Sequence, residues 1–147
     1  LVQAGYLLRG IMMFVVNEYS LPRQLDIVFR ELEEELSGLE SGTVFVQIRN
    51  NVIGKFGIRH TPLAGRDGHL EGPHCGLNEQ QIHAFRNMAI EALNYKKSWT
   101  HGEINYDFAI RKAAVVVDAQ FESNYNMASG MIRYPKSSYK EARSDLS

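Results

Sequence analysis

Cysteine is almost missing from this chain, since Cys75 is the only one in 147 residues. A single cysteine cannot form an intrachain disulfide, which excludes the small secreted folds that depend on such bonds. A basic excess is also lacking: the formal net charge of -1 disfavours nucleic acid as a partner. No apolar run approaches the roughly 20 residues that cross a bilayer. These absences predict a cytoplasmic protein without a membrane partner.

The length of the chain predicts one domain, because 147 residues can surround a single core. We place that domain at residues 11–135 and a polar C-terminal tail at 136–147. The N-terminal apolar stretch is short, and its arginine and flanks do not resemble a signal peptide. Because Met12 and Met13 stand just before the patterned region, residues 1–10 are interpreted as an added segment or one read from upstream of the natural start.

Local patterns predict one buried strand and two amphipathic helices. The continuous apolar run IMMFVV (11–16) is typical of a strand that is covered on both faces. In SLPRQLDIVFRELEEELSG, Ser20 can cap a helix and Pro22 falls in its first turn, where its missing N–H costs nothing. Asn78 is the expected cap of the second helix, along which apolar residues recur every three or four positions.

Two further stretches alternate between apolar and polar residues, as strands of a hairpin do. The first turns at Asn50-Asn51, a pair that tolerates positive backbone angles, and the second is expected to turn at Arg111-Lys112. Polar and charged residues fall on the outer face of both hairpins: Gln47, Arg49, Lys55 and Arg59 in the first, and Asp107, Asp118, Gln120 and Glu122 in the second. If the hairpins are neighbours, opposite charges can pair across the strands.

The fold class that follows is α+β. We expect a mainly antiparallel sheet, built from the N-terminal strand and the two hairpins, with the two helices packed on one face. The other face is then open to solvent or to a second subunit.

The stretch HTPLAGRDGHLEGPHCGLNEQQIH (60–83) contains four of the five histidines and the cysteine. Zinc or another transition metal needs three or four such side chains around one ion. The candidate ligands are His69, His74, Cys75 and His83, and Asp67 and Glu71 could add an oxygen. Their spacing matches no diagnostic ligand pattern. A surface loop whose glycines and prolines make turns is the favoured alternative.

A second hypothesis for the same region is acid–base catalysis. His60 and His101 each stand where a strand meets a loop, and Glu103 is close to His101 in sequence. If the two loop ends met, this trio could transfer protons or assist hydrolysis. Cys75 lies before a helix N-terminus, where a thiol pKa can fall, but a cysteine that merely packs as a small apolar residue is the commoner case.

Two binding chemistries remain as weaker candidates. Arg59 and Arg66 flank glycines that could present backbone N–H groups to a phosphate, although the order of a P-loop is missing. Nucleic-acid binding would use aromatic residues on an open sheet face. However, the alternation pattern places Tyr106, Phe108 and Phe121 on the apolar side of their strands. We therefore expect that side to be buried and these rings not to be available for stacking.

The sequence therefore leaves two functions open. The first is a small non-enzymatic binding or regulatory module of unknown ligand that self-associates, through its sheet or through the apolar segment 131–134, or binds a protein partner. The alternative is a metal-assisted hydrolase that uses the histidine-rich stretch 60–83.

Overall fold

A computed structural model describes residues 19–128 of the chain. It contains two α-helices, α1 (Leu21–Leu36) and α2 (Glu79–Ala92), and a 3₁₀ turn at Leu93–Tyr95. Its strands are β1 (Ser41–Arg49), β2 (Val52–His60), β3 (Ala64–Arg66), β4 (His69–Glu71), β5 (His101–Arg111) and β6 (Ala114–Ser123). The predicted N-terminal strand, the segments 1–10 and 136–147, and the apolar segment 131–134 lie outside the described residues.

The four long strands form one sheet in the order β2-β1-β5-β6, and each neighbouring pair is antiparallel. The short strands β3 and β4 form a separate two-stranded sheet. Two helices with a mainly antiparallel sheet confirm the α+β class. The order helix then hairpin occurs twice along the chain, and the pairing of β1 with β5 joins the two hairpins side by side.

Both helices begin where the sequence predicts. The Ser20 side chain accepts a hydrogen bond from the Arg23 backbone N–H, and a proline occupies the first turn of α1. At the start of α2, Asn78 and Gln81 each accept a hydrogen bond from the other's backbone N–H, which is a complete capping box. These caps satisfy N–H groups that have no partner inside a helix.

The second hairpin turns one residue later than the sequence predicts. Asn50 and Asn51 have the expected positive φ angles, but in the second hairpin the positive angles belong to Lys112 and Ala113 instead of Arg111 and Lys112. A turn at Arg111-Lys112 and a turn at Lys112-Ala113 give strand pairings that differ by two residues. Every side chain of the hairpin therefore lies on the same face in both cases. Because alternation of polarity detects only a one-residue slip, it could not choose between them.

A β-bulge changes which residues of β2 face the core. The pairing shifts between Val46 and Ile48, so that Ile48 lies opposite Ile53. The alternation pattern predicts an inward Val52, whereas Ile53 is the buried residue and Val52 is only half-buried. An extra residue in one strand reverses the parity beyond it, and nothing in the local sequence marks the bulge.

One apolar cluster joins the helices to the sheet. Its central aromatic residue is Phe85 of α2, whose ring lies against Phe29 of α1 and Phe108 of β5. Gln24 ties the start of α1 to the first hairpin: its amide donates to the Asn51 carbonyl at 2.9 Å and accepts from the Ile53 N–H at 2.7 Å. Neither helix in residues 19–128 combines the length and the apolar character needed to cross a membrane.

Candidate functional site on the open face of the sheet

The histidine-rich stretch forms a small hairpin at one end of the sheet. Strands β3 and β4 turn at Asp67 and Gly68, which both have positive φ. We call residues 61–75 the arm; every one of them is exposed. Leu63 and Leu70 are 54% and 67% exposed, so the arm has no apolar interior of its own.

The structure does not bring the predicted metal ligands together. His69 lies in β4, and His74 lies in the exposed segment that follows it. The Cys75 thiol donates to a Glu40 carboxylate oxygen at 3.7 Å, and His83 of α2 contacts Arg86 through its Nδ1 atom. Among residues 19–128, no group of three or more histidine, cysteine or carboxylate side chains is placed to hold a metal ion.

A double substitution of His69 and His74 by alanine tests the metal hypothesis through stability. Both side chains are exposed, so we expect the free energy of unfolding to change by less than about 0.5 kcal/mol. Chemical denaturation measures this change, and elemental analysis of the untagged protein checks metal content in parallel. A stoichiometric metal that disappears from the double variant, together with a loss of stability above about 2 kcal/mol, would contradict the expectation.

The predicted catalytic histidines lie at opposite ends of the sheet. His60 ends β2 and pairs with Gly42, which in turn pairs with Phe108. His101 begins β5, seven residues from Phe108, and so is about 23 Å away along the strand direction. Glu103 stays near His101, whereas the Nε2 atom of His60 lies 3.7 Å from a carboxylate oxygen of Glu35 in α1. The two loop ends therefore do not meet.

The candidates for anion binding and for base stacking are also separated. Arg59 lies on the sheet, and Arg66 lies on the arm with a 94% exposed side chain. Tyr106 and Phe108 are buried, so their rings are not available for stacking on a base. The Tyr106 hydroxyl donates to the Ala89 carbonyl, and burial raises the pKa of this phenol above its ordinary value. Tyr106 is therefore a neutral structural group.

The side of the sheet that faces away from the apolar cluster carries the charged residues of both hairpins. We call it the open face and define it by the outward residues of the four long strands. Its basic half belongs to the first hairpin and consists of Arg49, Lys55 and Arg59. Its acidic half belongs to the second hairpin and consists of Glu103, Asp107, Asp118 and Glu122, and the only outward cation of these two strands is Arg111 at the turn end of β5.

The two halves meet at the boundary between β1 and β5. Arg59 reaches across β1, where it donates to the Asn105 side chain at 2.6 Å and lies 3.4 Å from a Glu103 carboxylate oxygen. An ion pair between the hairpins therefore occurs at Arg59, but its partner is Glu103 and not one of the outer-face residues expected from the sequence. Beneath it lies the Phe45 ring, 4.3 Å from the guanidinium carbon, a distance suited to a cation–π contact.

The outer parts of the two halves have no such compensation. Within the described part of the chain, no ion pair involves Arg49, Lys55, Asp118 or Glu122. Asp118 instead lies directly opposite Asp107, and Glu122 lies directly opposite Glu103. Like charges that face each other across two strands are destabilising. Within residues 19–128, Asp118 and Glu122 therefore form no ion pair, whereas Glu103 is paired with Arg59 and Asp107 accepts a hydrogen bond from the Thr43 hydroxyl.

A depression of about 790 Å³ occupies the end of the open face where β5 begins. Its charged lining comes from both halves, namely Arg49, Lys55, Glu103 and Glu122, and His101 adds an imidazole. The amide groups of Gln47 and Asn124 add neutral donors and acceptors. Clefts of this size with convergent polar groups are the usual places for binding in proteins.

Two residues of this depression, His101 and Glu103, were predicted from the sequence as site residues, but for catalysis. Arg49, Lys55 and Glu122 were interpreted as ordinary cross-strand partners and not as site residues. The sequence did contain evidence that these three side chains share one surface, because all of them fall on the outward side of their strands. What was missing was the strand order, which puts the basic and acidic halves next to each other.

Comparison with protein-family models, with curated protein sequences and with solved structures finds no match for the chain.

Proposed function

We propose that this chain is a small non-enzymatic binding module that self-associates, and that the open face of its sheet is the binding surface. The observation that carries the proposal is the separation of charge on that face. The first hairpin contributes three outward cations, and the second contributes four outward carboxylates together with one outward cation, Arg111, at the turn end of β5. A surface with both signs in separate halves can bind a second copy of itself through opposite charges.

The energetics of the isolated sheet support a binding role for these side chains. Two pairs of carboxylates face each other across β5 and β6, which weakens the sheet by roughly a few tenths to 1 kcal/mol for each pair. A partner that places cations over the acidic half offsets this repulsion. Side chains that weaken the fold but favour association are typical of functional surfaces.

Two further observations fit a binding module better than an enzyme. The candidate catalytic and metal-ligating side chains are spread over both ends of the sheet, the arm and α2, as described above. The depression instead combines cations and carboxylates at the surface. The lone cysteine, which has no disulfide partner in the chain, supports a cytoplasmic location for this module.

The test of self-association is the mass of the protein as a function of its concentration. We expect the weight-average mass of the full chain, measured by sedimentation equilibrium, to rise from 16.7 kDa towards twice that value between about 10 and 500 μM. High salt screens exposed charges, so about 1 M sodium chloride should shift the rise to higher concentration. A strict monomer at every concentration and at low salt would overturn the proposed function.

A further inference from the structure

The register of the sheet arranges the charges of the open face in two rows that cross all four strands. One row contains Arg59, Thr43, Asp107 and Asp118, which are paired in that order from β2 to β6. It begins with a cation at the β2 edge and ends with a carboxylate at the β6 edge.

The charges of the other row follow the same order from β2 to β6. Gln47 is opposite Glu103, and Glu103 is opposite Glu122. On the other side of Gln47 the β-bulge brings Lys55, whose ammonium lies 6.0 Å from the centroid of the Phe45 ring and hence on the open face. This row too runs from a cation on β2 to a carboxylate on β6.

We propose that two copies of this chain bind face to face through these rows, about a twofold axis that is parallel to the strands. The proposal rests on the self-association proposed above and names its geometry. A rotation about such an axis preserves the position of each row along the strands and exchanges the β2 edge with the β6 edge. Lys55 of each copy then faces Glu122 of the other, and Arg59 faces Asp118.

Only one of the simple twofold arrangements gives this match. If the axis lay across the strands, each edge would face itself, so that Lys55 and Arg59 of the two copies would be brought together. Further in along the rows, Gln47 would face Glu103 and Thr43 would face Asp107 of the other copy, which are the same pairs that are hydrogen-bonded within each copy. Complementary potentials of this kind select orientation and register more than they add affinity.

The size and shape of the face agree with a weak dimer. Four strands of this length present on the order of 600 Å² per copy. A total of about 1,200 Å² is at the lower end of specific interfaces. The depression of about 790 Å³ lies on the row of Lys55 and Glu122 and gives room for the partner's long side chains. The dimer is therefore expected to be salt-sensitive and to dissociate readily.

Charge reversal at the two ends of one row tests this geometry. In a symmetric dimer each contact occurs twice, so Lys55→Glu creates two carboxylate pairs and Glu122→Lys creates two ammonium pairs. We expect each substitution to weaken the homodimer by about tenfold or more at low salt. The double variant Lys55→Glu/Glu122→Lys restores both contacts and should regain most of the lost affinity.

Mixing the two single variants gives the sharper result. A heterodimer of Lys55→Glu with Glu122→Lys has opposite charges at both contacts, so the mixture should associate more tightly than either variant alone. Sedimentation equilibrium of the separate and mixed samples measures this difference, and thermal unfolding checks that each variant is folded. The control variants Arg66→Glu and Glu71→Lys make the same charge changes on the exposed arm and should leave the affinity unchanged.

The outcomes separate the two proposals. If the wild-type chain associates but Lys55→Glu behaves like Arg66→Glu, or the mixture does not regain affinity, the row geometry is wrong and self-association stands. If the row at Lys55 cannot be measured because a variant unfolds, the reversal Arg59→Asp with Asp118→Arg tests the other row by the same criterion. If the wild-type chain never associates, both proposals fail.

Discussion

Replacement of Phe85 by alanine is expected to remove about 3–5 kcal/mol from the free energy of unfolding, the usual cost of deleting a fully buried aromatic ring. The Phe85 side chain is fully buried where α1, α2 and β5 meet. Its ring centroid lies 4.9 Å from that of Phe29, 5.0 Å from that of Phe108 and 6.3 Å from that of Tyr106. A single domain has only about 5–15 kcal/mol of stability in total.

The reason for so large an effect is that the ring joins three elements at once. Truncation leaves a cavity between two helices and the sheet, and neither helix can close it without moving away from β5. Thermal unfolding should show a fall in Tm of about 10 °C or more. Phe56→Ala is the matched control, because that ring is 37% exposed on an edge strand. Equal losses for the two variants would contradict the central position of Phe85 in the core.

The sequence predicted best where the cause of a structure is local. Ser20 and Asn78 begin their helices because each side chain accepts a hydrogen bond from an N–H group three residues ahead. The Asn50-Asn51 turn follows in the same way from two residues that tolerate positive φ. Each of these features is encoded within a few positions, so a single sequence is enough to find it.

The errors lie where several arrangements satisfy the same pattern. The turn at Lys112 and Ala113 and the turn predicted at Arg111 and Lys112 keep every side chain of the hairpin on the same face. The bulge that brings Ile53 inward depends on pairing with Ile48, which the sequence of β2 alone does not reveal. Register is decided by cross-strand packing over the whole sheet, and that information is not local.

The candidate site was missed for the same reason. The stretch 60–83 was predicted as the site because it is rich in histidine and contains the cysteine, and these residue types are rare and chemically versatile. The open face is made of common charged residues, and their meaning depends on which strands are neighbours. The contact between β1 and β5 joins residues about 60 positions apart, and together with the β-bulge and the pairing of β5 with β6 it sets Lys55 and Glu122 in one row.

Gly76→Ala is the second substitution with a large expected effect, and it tests how the histidine-rich stretch is attached to the fold. A Cβ atom on Gly76 would lie 1.7 Å from the carbonyl oxygen of Ser37 and 3.0 Å from the Cα atom of Gly38. These are backbone atoms at the end of α1, so they cannot move aside as a flexible side chain would. The next residue, Leu77, donates its N–H to the Leu36 and Leu39 carbonyls at 3.3 and 3.1 Å.

Since the segment has to move away from α1, the variant loses these hydrogen bonds and exposes the buried Leu77 side chain. We expect a loss of about 2–4 kcal/mol in the free energy of unfolding, measured by chemical denaturation. The control is Gly72→Ala in the same stretch, where a Cβ atom would meet nothing within 4 Å. That variant should keep or slightly raise the stability, as alanine restricts the unfolded chain. If Gly76→Ala is as stable as Gly72→Ala, residues 76–77 do not pack against the end of α1, and the arm is attached only through β2.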